Sequence, residues 1–187
     1  MSNFEWATLK SKQIIKDKWI SLRGDTCKMS NDKIIEPYYV LEYPTWVNVV
    51  ALTKEKDVIL VRQYRHGIQK TIIETPGGSM DSNDKSPFEA IKRELLEETG
   101  YSSNNIIETC KISVNPANHN NLTYCYLALD SYLVTTQNLD DTEQIEIILK
   151  PLNEVIEMLN NQEFLQSLNI SSLYYAIKYL ENAKYEL

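Results

Sequence analysis

Between Ser86 and Gly100 the sequence SPFEAIKRELLEETG carries its own start signal, its own stop signal and one apolar stripe. Ser86 can accept from the orphan amides of a first turn, Pro87 suits the first helical position, and Glu89 completes a capping box. Phe88, Ile91 and Leu95 recur at intervals of three and four, which places them on one buried face. Gly100 offers the left-handed conformation that ends a helix. On this helix Glu94, Glu97 and Glu98 stand at i, i+3 and i+4, so their carboxylates share a face. Crowded like charges cost stability unless a cation sits among them, and Mg2+ prefers a few carboxylates together with water and phosphate oxygens. A solvated acidic face is the ordinary explanation of such a run. Here a Pro76-Gly77-Gly78 turn stands just before the helix and Arg93 lies beside Glu94, which is more order than solubility requires.

At 187 residues the chain is one domain, or one domain with a small extension. Its 43% hydrophobic content can supply a core, and 24% charged residues fit a globular chain rather than a disordered one. The 19 Lys and Arg against 26 Asp and Glu give a net charge of -7. Such a surface repels phosphate backbones, so no nucleic-acid partner is expected. A small anion remains open to it where an arginine or a metal ion offsets the acids locally. Cys27, Cys110 and Cys125 share no metal-ligand spacing and read as ordinary thiols of a reducing compartment. Residues 1–12 contain no apolar signal-peptide core, and the apolar run around Trp46 to Leu52 is interrupted by Asn48 and far too short to span a membrane. A cytoplasmic protein with no membrane partner is the expectation.

The first half of the chain reads as strands. Residues 19–23, 37–43, 46–52 and 57–64 are rich in β-branched and aromatic side chains and are separated by polar or turn-forming clusters, with 54–57 as a hairpin connection. Residues 72–75 lead into the Pro-Gly-Gly turn. After the capped helix, 122–129 and 144–149 read as strands, and two helical patterns around 152–159 and 173–180 close the chain. Residues before about Tyr43 can form a separate sheet.

Gly78 through Tyr101, GSMDSNDKSPFEAIKRELLEETGY, resembles the Nudix box: Gly, five residues, Glu, seven residues, then Arg-Glu-aliphatic-any-Glu-Glu-any-Gly-hydrophobic. Arg93, Glu94, Leu95, Glu97, Glu98, Gly100 and Tyr101 match its second half. The first half departs, because counting back from Arg93 puts Lys85 where the box has Glu, whereas counting forward from Gly78 puts Asp84 there. The loop thus carries one extra residue. In the family that Glu pairs with the box arginine. Lys85 would repel Arg93, while Asp84 turned inward would restore the pair.

The resemblance implies an α/β fold, an α/β/α Nudix sandwich with a mixed sheet, plus a small N-terminal β-sheet extension. It divides the chain into residues 1–43, a dimerising extension, and 44–187, the hydrolase domain. It extends loosely from Tyr38 to Leu180 and points to the ADP-ribose pyrophosphatase-like branch. The activity implied is Mg2+-dependent hydrolysis, with Mn2+ as a possible substitute, of the pyrophosphate bond in a nucleoside diphosphate linked to a second group, ADP-ribose or a nucleotide sugar. Glu94, Glu97 and Glu98, with the carbonyl near Gly77, are the implied metal ligands. Arg93 braces the box, and Glu98 or Glu143 is the base that activates water; spacing does not choose between them. Arg65, in Gln63-Tyr64-Arg65, is similar to the branch's phosphate-contacting arginine, and Pro116 falls where the branch has a loop proline. Base stacking on an aromatic makes Trp46 a substrate-binding candidate, although packing is the ordinary role of Trp19 and Trp46 alike. His66 and His119 read as loop residues. A homodimer is implied as well. The alternative is a Nudix-fold nucleotide-binding sensor without turnover, suggested by Lys85.

Overall fold

The computed structural model describes residues 4–185, which separate into two compact units. The first comprises the chain up to Pro44 together with Ser113–Asn121. Its strands β1 (Ala7–Lys16), β2 (Ser21–Lys28) and β3 (Ile34–Leu41) form an antiparallel sheet in the order β1-β2-β3. The 113–121 loop is tied to the last strand: the Leu41 N–H donates to the Asn118 carbonyl at 2.7 Å, and the Asn120 N–H to the Leu41 carbonyl at 3.2 Å. Strand β1 was not legible in the sequence. All ten of its residues are exposed, and register shifts after Thr8 and after Gln13 break the two-residue period that a half-buried strand displays. Trp19, assigned above to packing, is instead 72% exposed at the turn into β2.

The second unit spans Thr45–Ile112 and Leu122–Leu187. Its sheet runs β11 (Ile145–Pro151), β5 (Asp57–Arg65), β4 (Trp46–Thr53), β10 (Thr123–Leu133), β8 (Tyr101–Ser102). Further strands β6 (Lys70–Glu74), β7 (Gly77–Ser79) and β9 (Asn105–Ile112) pair with β5, β4 and β10 respectively. The β4–β10 pair is parallel and the others are antiparallel, so the sheet is mixed. Among the described residues three α-helices cover it: α1 (Pro87–Thr99), α2 (Leu152–Asn160) and α3 (Ser167–Asn182).

Strand β4 is a near-continuous apolar run because both its faces are covered. Val47, Val49 and Ala51 join Ile59 of β5 under Ala90, Ile91 and Leu95 of α1. The alternate residues Val50 and Leu52, with Val58 and Leu60, pack against Leu152 and Val155 of α2 and Leu173 and Ala176 of α3. Each fully buried aliphatic side chain contributes about 1.5–3 kcal/mol relative to exposure. This arrangement is an α/β/α sandwich with a mixed sheet. Phe88, placed above on the buried stripe of α1, remains 40% exposed in the first helical turn, with its ring edge-on to Tyr126. No helix among the described residues is long and apolar enough to cross a membrane.

Candidate active site

The site begins with an asparagine in the middle of the apolar strand β4. The Asn48 side-chain amide donates to the carbonyls of Thr75 (3.2 Å) and Pro76 (3.1 Å), and the Val49 N–H also donates to the Pro76 carbonyl at 2.9 Å. Asn169 of α3 completes the network by accepting from the Thr75 hydroxyl at 2.7 Å and the Thr75 N–H at 3.3 Å. All three side chains are buried, and their polar groups satisfy one another, as burial requires. The network fixes the turn that carries Gly77 and Gly78. A Cβ on Gly77 would run into the Val47 carbonyl and lie 2.8 Å from the Asn48 Cα. A Cβ on Gly78 would fall within the Glu94 carboxylate, 2.7 Å from Oε2. Glycine at these two positions lets the turn lie against both the sheet and the helix.

Helix α1 starts and stops as its sequence dictates. Ser86 Oγ accepts from the Glu89 N–H at 3.2 Å, and Gly100, at φ 73°, donates its N–H to the Leu96 carbonyl at 2.8 Å. Its last carbonyls are taken up by the following loop: the Asn138 N–H donates to Glu97 (2.9 Å) and Gln137 Nε2 to Glu98 (2.7 Å). Buried Glu98 is thereby held against the turn, where the Gly77 N–H donates to its Oε2 at 2.9 Å.

The electrostatics follow from this packing. Burial pushes the Glu98 carboxyl up to about 8; the Gly77 N–H and Arg65 oppose the rise, and the charges of Glu94 and Glu143 add to it. Burial likewise pushes Glu94 up to about 7 against the attraction of Arg93, with Glu97 and Glu143 adding to the rise. Arg93 is the hub of the box. Its Nη1 lies 3.1 Å from Glu94 Oε1 and donates to Glu97 Oε2 at 2.8 Å. Its Nη2 donates to the Ser79 carbonyl (3.0 Å) and to Asp84 Oδ2 (2.9 Å), and its Nε to Asp84 Oδ1 (3.3 Å). The hydrogen bonds from Arg93 hold the Asp84 carboxyl below its ordinary range. Asp84 therefore occupies the partner position on Arg93, and Lys85 is exposed.

Arg65, at the end of β5, donates through Nε to Oε2 of the buried Glu74 at 2.8 Å. Glu143 is exposed in the turn before β11; its N–H donates to the Asp140 carbonyl at 2.9 Å, and its carboxylate accepts from the Asp140 N–H at 3.2 Å. Its charge is felt at both Glu94 and Glu98. Trp46 is half-buried at the start of β4, opposite Ser79. Pro116 is exposed in the 113–121 loop and belongs to the first unit, while the other candidates belong to the second.

The site also contains residues that the sequence reading did not single out. Asn48 was visible as a break in an apolar run, but Glu74, Asn169 and Gln137 gave no signal: Asn169 and Gln137 bond Thr75 and Glu98, remote in sequence, and Glu74 meets Arg65 only through the β5–β6 pairing. Among the described residues no three His, Cys, Asp or Glu side chains converge as a metal-ligand cluster. Glu97 is drawn to Arg93, and Glu98 to the Gly77 N–H. Even so, the donor set fits a hard divalent cation. Glu94 and Glu98 are oxygen donors kept out of water and repelled by neighbouring acids, which is the condition a cation relieves.

An α/β/α sandwich whose capped acidic helix is pressed onto a Gly-Gly turn defines a recognisable class. The NUDIX domain model matches residues 43–168, and the model for a nucleoside diphosphate sugar hydrolase N-terminal domain matches residues 6–41. The chain belongs to the Nudix family and is a Nudix hydrolase. It is 28% identical to an ADP-ribose pyrophosphatase of Bacillus subtilis (strain 168) over 182 residues, covering 97% of this chain and 95% of that one. It is also 26% identical to a methanol dehydrogenase activator of Bacillus methanolicus over 173 residues, 92% of each. Its fold matches the crystal structure of an ADP compounds hydrolase with a TM-score of 0.86, at 21% identity and full coverage of both chains.

Proposed function

We propose that this protein hydrolyses the pyrophosphate bond of a nucleoside diphosphate linked to a second group, with ADP-ribose as the first candidate and a nucleotide sugar as the next. The observation that carries the reading is the pair of half-buried Glu94 and buried Glu98 held against the Gly77-Gly78 turn, both pushed well above the ordinary carboxylate range. The similarity to an ADP-ribose pyrophosphatase along nearly the whole chain supports the substrate class, as does the match of residues 6–41 to a nucleoside diphosphate sugar hydrolase domain.

Glu94 and Glu98 would hold Mg2+, or Mn2+ in its place; Glu97 and the Gly77 carbonyl are the further candidate ligands. When bound, the divalent ion supplies positive charge to the pyrophosphate and lowers the pKa of coordinated water. The protein's own residues do the rest. Arg93 keeps the acidic helix and the 79–86 loop in register through Asp84 and Ser79. Arg65 presents a guanidinium to the phosphates, a role for which its planar donors are suited. Glu98 or Glu143 accepts the proton of the attacking water. Glu98 is the better base by position, being buried and fixed, whereas Glu143 is exposed on a turn. Trp46 and Pro116 are the candidates for contacts to the base and sugar. Residues 1–43 would form the homodimer contact, for which the exposed Leu9, Ile14 and Ile15 of β1 offer apolar surface.

The test is a panel of ADP-ribose, nucleotide sugars and dinucleotides, incubated with Mg2+ or Mn2+ and scored for nucleoside monophosphate release. Product from at least one member is the expected result. Binding of these compounds without release would instead favour the sensor.

A further inference from the structure

We propose that Cys110 and Cys125 form a cross-strand dithiol that a peroxide converts to an intramolecular disulfide, a modification site apart from the acidic helix.

The register places the two residues directly opposite each other in the antiparallel β9–β10 pair. Residues so paired have Cα atoms about 4.5–5.5 Å apart, inside the range of about 4.4–6.8 Å that a disulfide spans. The side chains also share a face, because directly opposite residues of an antiparallel pair project to the same side of the sheet. A bulge follows immediately, with Cys125 opposite Cys110 but Tyr126 opposite Glu108, and the Thr109 hydroxyl donates to the Cys125 carbonyl at 3.1 Å. Such a bulge interrupts the ladder at the place where the two sulfurs would have to approach.

The two thiols differ in access. Cys110 is partly exposed, whereas Cys125 is fully buried, with the Ser172 side chain of α3 against it. A peroxide therefore meets Cys110 first. Its sulfur takes up one oxygen to give a sulfenic acid, and the peroxide leaves as water. The Cys125 sulfur then attacks the Cys110 sulfur, the S–S bond forms, and the sulfenic oxygen departs as a second water with the Cys125 proton. Overall two thiols lose two electrons and two protons, and one peroxide is reduced to two waters. Burial pushes both thiols up, Cys125 to about 12, so the thiolate is scarce and oxidation is slow. Adjacency makes the second step intramolecular, which favours closure over further oxidation of Cys110.

The test uses the native full-length protein treated with hydrogen peroxide, then unfolded and alkylated. A mass decrease of two hydrogens, one alkylated cysteine out of the three, and a thiol-reversible tryptic species joining the peptides of Cys110 and Cys125 are expected. In Cys110→Ser both Cys125 and Cys27 should remain alkylatable after the same treatment. Three alkylated cysteines in the treated wild type, Cys110 oxidised to sulfinic acid with Cys125 still free, or a linkage through Cys27 would each overturn the proposal.

Discussion

Burial raises two carboxyls, Glu94 against the pull of Arg93 and Glu98 against the Gly77 N–H and Arg65, and together they give the folded protein a pH dependence of definite sign. In the unfolded chain a glutamate titrates near about 4.3, whereas in the fold Glu94 titrates at about 7 and Glu98 at about 8. Between those values the folded state binds more protons than the unfolded state. The stabilising contribution is therefore complete below the unfolded value and is lost as pH rises through 7 to 8. The melting temperature of metal-free protein should fall across that window, and Glu98→Gln should flatten the fall and melt higher than wild type at pH 8. Thermal unfolding in a chelating buffer checks this; a Glu98→Gln variant with the wild-type slope would show that burial does not govern this carboxyl. The two glycines separate in the same way. Gly77→Ala brings a methyl against the backbone of β4 and should cost about 1–3 kcal/mol of stability. Gly78→Ala meets the Glu94 side chain first, and its far end can swing aside, so activity should drop while stability changes little. Denaturant melts alongside turnover assays distinguish the two.

Among the elements, helix α1 was the most legible, since its cap, its proline, its stop and its stripe are all local signals within fifteen residues. The loop before it was legible only as a problem: the count left Asp84 and Lys85 as competitors for one position. The three-dimensional structure resolves it through charge. Asp84 reaches Arg93 with both carboxylate oxygens, and Lys85 points to solvent. Asp84→Ala should therefore cost about 1.5–3 kcal/mol, the range for a hydrogen bond to a charged group, and should lower activity by loosening the loop. Lys85→Ala should stay within about 0.5 kcal/mol of wild type, as exposed substitutions do. Equal effects of the two substitutions, measured by denaturant unfolding, would contradict this assignment of the loop. Strands β7 and β8 escaped the sequence reading because two or three residues carry no period, and β9 because its half-buried residues lie on both faces and do not alternate with exposed ones.

At the scale of the whole molecule, the sandwich was readable through the resemblance of residues 78–101 to the Nudix box, and the structure gives its physical reason: β4 and β5 are apolar on both faces, which demands helices on each side. The first unit was readable only in part, since a wholly exposed strand has no buried face to leave a pattern. If β1 is covered by a second copy of the chain, sedimentation should give twice the chain mass, and Ile14→Lys with Ile15→Lys should yield a folded monomer. A wild-type monomer at micromolar concentration would contradict the dimer. The central claim rests on Glu98, buried on the acidic helix and held by the Gly77 N–H. Its most direct test is AMP release from ADP-ribose in the presence of Mg2+, comparing wild type with a folded Glu98→Gln variant. Release by the wild type, reduced about a hundredfold or more in the variant, is the expected result, in keeping with the contribution of a positioned general base. A variant that hydrolyses ADP-ribose as fast as wild type would contradict the account.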